Sequence, residues 1–248
     1  MDARIVEAGR GWQWIVDGFA LFRKNPLVWI SLTVILVLLW MVSLTIPMIG
    51  PLLFNLFSPA LFAGLMVGCK ALESGGQLEL AHLFAGFRKN ASPLVTIGGV
   101  YLVGTIVVVG IVFVSAGGSM LPTMMSKSQP DIEALAAALR SMALGLTIGL
   151  AFYMPLLMMI WFAPLLIVFH DQTPVAAMKL SFRACWINMM PFLVYGLAIL
   201  VLWFIASIPL LLGLVVLLPV LICSVYTSYK DVFSPGAAPA ADGNPLLK

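Results

Sequence analysis

Apolar side chains in this chain occur in long runs that charged residues do not interrupt. Four stretches contain no Asp, Glu, Lys or Arg, namely residues 25–69, 90–126, 141–170 and 184–229. A helix that crosses the hydrocarbon core of a bilayer needs about 20 apolar residues. The first and last stretches are long enough for two such helices, and each contains a breaker near its middle, Pro47 or Pro209. The pattern therefore predicts six membrane-spanning helices.

The spans are predicted to be helices because the runs are continuous, whereas a barrel strand alternates apolar and polar residues. In lipid, a helix satisfies its own backbone hydrogen bonds. Composition agrees, since 62% of the residues are hydrophobic and only 9% are charged, against about 25% charged residues in soluble domains. The expected fold class is an all-α membrane protein with six transmembrane helices.

A short pattern that begins with a phenylalanine and ends with an asparagine recurs three times along the chain. Its copies are Phe19-Ala-Leu-Phe22-Arg-Lys-Asn25, Phe84-Ala-Gly-Phe87-Arg-Lys-Asn90 and Phe182-Arg-Ala-Cys185-Trp-Ile-Asn188. One proline follows each copy closely, at Pro26, Pro93 and Pro191, and another lies farther along, at Pro59, Pro164 and Pro219. Two patterns that recur in the same order indicate an internal repeat.

Each repeat unit is predicted to contain a short amphipathic helix, a span and a returning span, so the six spans form three hairpins. The units cover about 11–72, 78–172 and 173–233 of a single membrane domain, 1–233, and residues 234–248 form a disordered tail rich in Pro, Ala and Gly. The amphipathic helices are expected at 11–24, 78–89 and 174–187, each on the cytoplasmic interface beneath its own hairpin.

Local signals refine these helices. Thr173 and Pro174 form a helix start. The asparagines of the repeat fit helix stops because Asn tolerates the left-handed conformation and can bond nearby backbone. In the first amphipathic helix, the predicted apolar face comprises Trp12, Ile15, Phe19 and Phe22.

Prolines and glycines predict further details of the spans. Pro59, Pro155, Pro164 and Pro219 are expected to kink spans 2, 4 and 6. The GxxxG motif Gly145–Gly149 favours close packing between spans 3 and 4 over dimerisation. Pro130, Asp131 and Glu133, followed by Arg140, predict a short helix outside the membrane between these two spans.

Basic residues are distributed unevenly between the two sides of the predicted membrane domain. Of the 13 Lys and Arg residues, eleven lie on the side that holds both termini, and only Lys127 and Arg140 lie on the other. Basic loops remain in the cytoplasm, so both termini are predicted to be cytoplasmic. The net charge of +3 favours anionic lipid headgroups as partners, and no dense basic patch indicates nucleic-acid binding.

Three segments carry a family resemblance. They are Gly11-Trp-Gln-Trp14 leading to Phe22-Arg-Lys-Asn-Pro26, then Ser181-Phe-Arg-Ala-Cys185, and finally Tyr226-Thr-Ser-Tyr-Lys-Asp-Val-Phe233. With these motifs, residues 11–233 resemble a family of bacterial six-span inner-membrane proteins that is related to the membrane portion fused to some glycerophosphoryl diester phosphodiesterases. The resemblance implies the topology and an inner-membrane location. It supplies no catalytic residues, and the sequence shows no phosphodiesterase domain whose chemistry could be carried over.

Chemistry-bearing motifs are sparse. The four apolar stretches lack the ionisable residues that usually mark ion-coupled transport. His82, His170, Cys69, Cys185 and Cys223 match no metal-ligand spacing, and no phosphate loop or nucleophile elbow is present. We therefore expect no metal, no cofactor, no catalytic site and no enzymatic activity.

The favoured hypothesis is a non-enzymatic accessory, scaffold or lipid-interacting protein of the inner membrane. Its candidate headgroup ligands are basic residues on or beside the amphipathic helices, namely Arg23, Lys24, Arg88, Lys89, Lys179 and Arg183. Phospholipids, chiefly anionic ones, and other membrane proteins are the expected partners. The alternative is a transporter or channel for a small neutral or lipophilic solute, motivated by the prolines of the even-numbered spans; a membrane enzyme ranks third.

The predicted orientation is testable with alkaline phosphatase fusions, because this enzyme is active only outside the cytoplasm. A fusion after Ser126 should be active, and fusions after Gly75 or Ser234 should be inactive. Equal expression of the three fusions, checked by immunoblot, is the control. Activity at Gly75 or Ser234 would reverse the orientation.

Overall fold

The computed structural model describes the backbone of residues 2–125, 132–209 and 211–233, and the side chains of these residues except 89, 116–125 and 134. This part of the chain forms helices and no strand. The helices are α1 (Arg10–Phe22), α2 (Pro26–Leu44), α3 (Ile49–Glu73), α4 (Ala85–Lys89), α5 (Ala91–Met125), α6 (Ile132–Trp161), α7 (Ala163–His170), α8 (Pro174–Ile187), α9 (Met189–Ser207) and α10 (Leu214–Phe233). A 3-10 helix, Leu80–Phe84, precedes α4.

Six segments of the described chain are long and apolar enough to cross a membrane, which confirms the predicted fold class. They are Pro26–Leu44, Ile49–Glu73, Ala91–Ser115, Leu135–His170, Met189–Ser207 and Leu214–Phe233. The two turns inside the longest apolar stretches fall at the predicted breakers, Pro47 and Pro209. Large apolar side chains are exposed along these helices, as expected where lipid is the solvent.

The structure divides into two compact units. The first comprises Met1–Thr33, Cys69–Leu78 and Arg183–Lys248, and the second comprises Val34–Gly68 and Glu79–Phe182. These boundaries do not coincide with those of the three sequence repeats, because helices of different repeats pack together within each unit. The assignment of 1–233 to one domain stays a prediction, and the tail 234–248 lies outside the described residues.

In the first unit, α1 packs tightly against α9 and α10. Gly11 faces the backbone of Pro191, where a Cβ atom would lie 2.1 Å from the carbonyl oxygen. Gly18 faces Ser224, where a Cβ atom would lie 2.7 Å from the backbone nitrogen. Small residues allow such close approach of helices. Of the predicted apolar face of α1, Ile15 and Phe22 are buried, whereas Trp12 and Phe19 are half-exposed; Trp14, which was not assigned to that face, is fully buried.

In the second unit, α5 packs against α6. Gly149 lies against Val112 of α5, so this glycine of the GxxxG motif serves the packing between spans 3 and 4, as predicted. The hydroxyl groups of Tyr101 and Tyr153 lie 2.8 Å apart and hydrogen-bond the same two helices. The helix predicted outside the membrane is not separate: α6 runs without interruption from Ile132 to Trp161, while Pro130 and Asp131 lie outside the described residues.

The fourth span is broken at Phe162, between α6 and α7, and a serine side chain occupies the break. The Ser181 hydroxyl accepts the Phe162 N–H at 2.9 Å and donates to the Met158 carbonyl at 2.6 Å. In an uninterrupted helix the Phe162 N–H would bond the Met158 carbonyl directly. Insertion of a side chain into the backbone ladder bends a helix, and Pro164 is the second residue of the next helical segment, α7. Span 4 is thus interrupted beside Pro164, one of the four prolines expected to cause kinks, whereas α6 is continuous through Pro155. The kinks at Pro59, Pro155 and Pro219 stay predictions.

Each short helix packs against the returning span of another repeat. Besides the contact of α1 with α10, Gly64 of α3 lies against the Leu83 carbonyl. Ser181 of α8 bonds to α6. The short helices of the second and third repeats thus pack against the returning span of the preceding repeat, and α1 packs against that of the last repeat. This corrects the expectation that every short helix packs beneath its own hairpin. Their location in the membrane interface stays a prediction.

The repeated asparagines stand at the junctions between short helices and spans. The carbonyls of Asn25, Asn90 and Asn188 accept the N–H groups of Trp29, Leu94 and Phe192, at 3.2, 3.1 and 3.1 Å. The predicted position at a helix stop is confirmed. Of the two predicted reasons, the left-handed conformation is wrong for Asn90 and Asn188, whose φ angles are −124° and −112°. Bonding to nearby backbone is confirmed for Asn188, whose side-chain amide donates to the Ala184 carbonyl at 2.9 Å. Helix α8 begins at Pro174 as predicted.

Replacement of Ser181 by Ala tests the break in the fourth span. The Phe162 N–H and the Met158 carbonyl would lose their shared partner in a buried site, at a cost of about 1 to 3 kcal/mol. We expect a lower thermal midpoint, measured by tryptophan fluorescence in nanodiscs. Ser31→Ala is the matched control, because the exposed Ser31 bonds only to its own helix, at the Leu27 carbonyl. Equal midpoints for the two variants would contradict the bridging role.

Candidate functional site

A carboxylate near the end of α10 is the centre of a polar cluster in the first unit. The Asp231 side chain is 7% exposed. It accepts hydrogen bonds from Arg4 Nη2 at 2.6 Å, Arg10 Nε at 2.6 Å and Trp14 Nε1 at 2.9 Å. Two guanidinium groups therefore neutralise one buried carboxylate, and the indole of Trp14 satisfies one of its remaining acceptor sites.

The extended segment before α1 is held in place by the same end of the molecule. The Arg4 N–H donates to the Val232 carbonyl at 3.0 Å. The Asn188 side chain donates to the Arg4 carbonyl and accepts the Val6 N–H, each at 2.9 Å. Asn188 thus binds the segment as a neighbouring strand would, and it fixes Arg4 beside Asp231.

A second carboxylate cluster lies at the end of α3. Glu73 accepts a hydrogen bond of 2.8 Å from the Tyr226 hydroxyl and forms an ion pair with Lys230. The ammonium group of Lys24 lies close enough to interact electrostatically with the same carboxylate. Glu73 therefore has one directly bonded cation, Lys230, and a second, more distant one, Lys24.

An open cavity of about 790 Å³ joins the two clusters. Four basic and four acidic side chains are among its lining residues: Arg4, Arg10, Lys24 and Lys230, and Glu7, Asp17, Glu73 and Asp231. We call it the charged pocket. Its remaining lining is aliphatic apart from Thr227.

An apolar groove of about 360 Å³ lies on the other side of α1. Trp12, Val16 and Phe19 line it from α1, together with aliphatic residues of α9 and α10. Helix α1 thus presents charged residues to one cavity and aromatic residues to the other, while its glycine face is buried. This three-way division is typical of a helix at a membrane interface.

The six basic residues predicted to bind headgroups occupy different surroundings. Lys24 lines the charged pocket, and the guanidinium of Arg23 lies 5.9 Å from the ring centroid of Phe19. Arg183 is 3.6 Å from Asp2. Arg88 and Lys179 are exposed, and the side chain of Lys89 is outside the described residues. Of the six predicted ligands, Lys24 thus lies in the charged pocket.

Sequence reasoning did not single out Glu73 or Asp231, because both follow the uncharged stretches from which the spans were predicted. Helix α3 in fact extends as far as Glu73, and α10 continues two residues past Asp231. A signal was present, since two of the motifs that carry the family resemblance meet here: Trp14 bonds to Asp231, and the Thr227 hydroxyl donates to the Trp14 carbonyl at 2.9 Å.

The candidate metal ligands do not assemble into a site in the described part of the chain, where no group of three or more His, Cys, Asp and Glu residues is placed to hold a metal ion. Cys69, Cys185 and Cys223 are buried. Burial raises the pKa of the Cys185 thiol to about 12, so little nucleophilic thiolate is present at neutral pH.

A comparison with known proteins identifies the family. The chain is 33% identical over 260 residues to a probable inner membrane protein of Burkholderia thailandensis, and the match covers 94% of this chain and 95% of that protein. This chain belongs to the same family of inner membrane proteins. No protein-family model matches the chain, and no solved structure matches it. The inner-membrane family accounts for the six apolar helices.

Replacement of Asp231 by Asn tests whether its charge holds the first unit together. Asn keeps the shape but removes the anion that Arg4 and Arg10 contact directly, and Arg10 retains only the more distant Asp17, at 3.9 Å. Because both guanidinium groups are about 40% exposed, we expect a loss of about 1 to 3 kcal/mol rather than the larger cost of a fully buried pair. Thermal unfolding in nanodiscs measures it.

The matched control is Asp2→Asn, because the Asp2 side chain is 83% exposed and exposed ion pairs contribute little. If Asp231→Asn melts at the temperature of this control, the cluster does not stabilise the unit.

Proposed function

We propose that this inner-membrane protein is a non-enzymatic accessory or scaffold component that interacts with phospholipid headgroups. The observation that carries the proposal is the position of α1 between the charged pocket and the apolar groove. A helix with that arrangement suits the boundary between headgroups and acyl chains. Other membrane proteins are further candidate partners.

The orientation belongs to this proposal. With both termini in the cytoplasm, the charged pocket faces the inner leaflet, because it is lined by the N-terminal segment and the end of α10. The excess of basic residues on that side supports this orientation.

Anionic phospholipids are the proposed partners of the exposed basic residues. Each Lys or Arg close to an anionic surface contributes about 1 kcal/mol of attraction, which salt screens beyond a distance of about 8 to 10 Å. Arg23, Lys24, Arg88, Lys179 and Arg183 are exposed, as this role requires. The resemblance to the membrane portion of some glycerophosphoryl diester phosphodiesterases is in keeping with a protein that works beside lipid headgroups.

The alternative is a transporter or channel for a small neutral or lipophilic solute. The break at Phe162 and the tyrosine pair between α5 and α6 favour it, because both place polar groups within apolar spans. Glycerol uptake by proteoliposomes, followed by light scattering, tests it. Uptake faster than in protein-free vesicles, and slower after Tyr153→Phe, would replace the leading proposal.

Neutralising the basic pairs tests the lipid role. Three double variants are made, each with Gln in place of one basic pair: Arg23 and Lys24, Arg88 and Lys89, or Lys179 and Arg183. Each should lower the amount of co-purifying anionic lipid, because attraction to the headgroups weakens. Mass spectrometry of nanodisc-purified protein measures the lipid. Arg140→Gln, on the predicted outer side, is the matched control. Unchanged anionic lipid after neutralisation of all three pairs would contradict the proposal.

A further inference from the structure

The charged pocket has no excess charge despite its many ionic side chains. Its four basic and four acidic lining residues give a formal sum of zero. A purely anionic ligand would place a further negative charge beside the lining carboxylates, and a purely cationic ligand would place a further positive charge beside the lining guanidinium and ammonium groups. A ligand that carries both charges matches both halves of the lining.

The charges are also arranged in separate groups. Around Asp231 and around Glu73, two cations accompany each carboxylate, so each group keeps one positive charge in excess. The other two carboxylates are less engaged. Asp17 is 3.9 Å from Arg10 and accepts a hydrogen bond from Gln13, and the exposed Glu7 has no ion pair among the described residues.

We infer that the charged pocket binds a phosphoethanolamine group, with its phosphate near Lys24 and Lys230 and its primary ammonium near Asp17 and Glu7. An ammonium with three N–H donors suits carboxylates, which only accept. A phosphodiester suits the Lys24–Lys230 pair, whose combined charge exceeds that of Glu73 by one.

The lining argues against a choline headgroup. A quaternary ammonium has no N–H donor and is typically held by the faces of aromatic rings. None of the described residues that line the pocket is aromatic. An ethanolamine group can donate to Asp17 or Glu7, whereas a choline group would screen their charges without a hydrogen bond.

This inference rests on the proposed function in one respect: it takes a membrane lipid as the natural source of the phosphoethanolamine group. The same chemistry is present in phosphatidylethanolamine and in water-soluble glycerophosphoethanolamine. Of the two, the lipid is favoured because α1 also borders an apolar groove, but the pocket itself recognises only the headgroup.

The test is competition between lipids that differ only in their headgroup. Purified protein in detergent is given equal amounts of phosphatidylethanolamine and phosphatidylcholine with identical acyl chains, and native mass spectrometry counts the bound lipids. We expect about fivefold preference for the ethanolamine lipid, as one or two partly exposed ionic hydrogen bonds would give. In Glu7→Gln/Asp17→Asn, the ratio should fall to about one.

Glu133→Gln is the matched control, because Glu133 is an exposed acidic residue of α6 outside the pocket. Glu7→Gln alone provides a second variant, since this exposed side chain can change without loss of the fold, and it should lower the ratio in part. Equal binding of the two lipids to the unmodified protein, or an unchanged ratio in the double variant, would overturn the inference.

Two further arms separate the possible outcomes. Displacement of the lipid by glycerophosphoethanolamine would show that the headgroup alone is sufficient, and no displacement would identify the intact lipid as the ligand. Arg88→Gln/Lys179→Gln should lower anionic lipid without changing the ethanolamine-to-choline ratio. If the protein shows no preference for the ethanolamine lipid but still retains anionic lipid, only the inferred headgroup site in the charged pocket is refuted. If the amount of bound anionic lipid is unchanged after neutralisation of every basic pair, the proposed function is refuted.

Discussion

A carboxylate held at the end of an apolar helix is the constraint on which the first unit depends. A buried charge is tolerated only when it is paired and hydrogen-bonded. Asp231 obtains its partners from the beginning of the chain, through Arg4, Arg10 and Trp14. These bonds fix the direction of the N-terminal segment and the position of α1 against α10, and they thereby form one wall of the charged pocket.

Glycine makes this arrangement sterically possible. Trp14 reaches Asp231 because Gly11 and Gly18, on the same face of α1, allow the helix to approach the backbones of α9 and α10. The second unit uses the same means where Gly64 meets Leu83 and where Gly149 meets Val112. Helix contact through small residues and a few interhelical hydrogen bonds is the general solution for proteins in lipid, where apolar surface alone gives no preference for a neighbouring helix.

The parts of the fold that were predictable are those encoded locally. Uninterrupted apolar runs defined the six spans, Pro174 defined the start of α8, and the repeated asparagines marked the helix junctions. Periodicity shows which side chains are apolar but not which helix they meet, so the exchange of short helices between repeats was not predictable. Asp231 was missed because the sixth span was expected to end where the charged residues begin. Helix α10 continues past Asp231 because Arg4, Arg10 and Trp14, which are distant in the sequence, bond to its carboxylate. Of the six proposed headgroup ligands, Lys24 is the one that lines the charged pocket.

The pairing of the first and last helices also has a consequence for biosynthesis. Trp14 and Asp231 are 217 residues apart in the chain. At ribosomal rates of about 5 to 20 residues per second, α1 emerges between about 10 and 40 s before its partner. During that interval its glycine face has no α10 to cover it, so the nascent chain depends on the insertion machinery or on lipid to shield this surface. The bond between Trp14 and Asp231 can therefore form only after the sixth span has been translated.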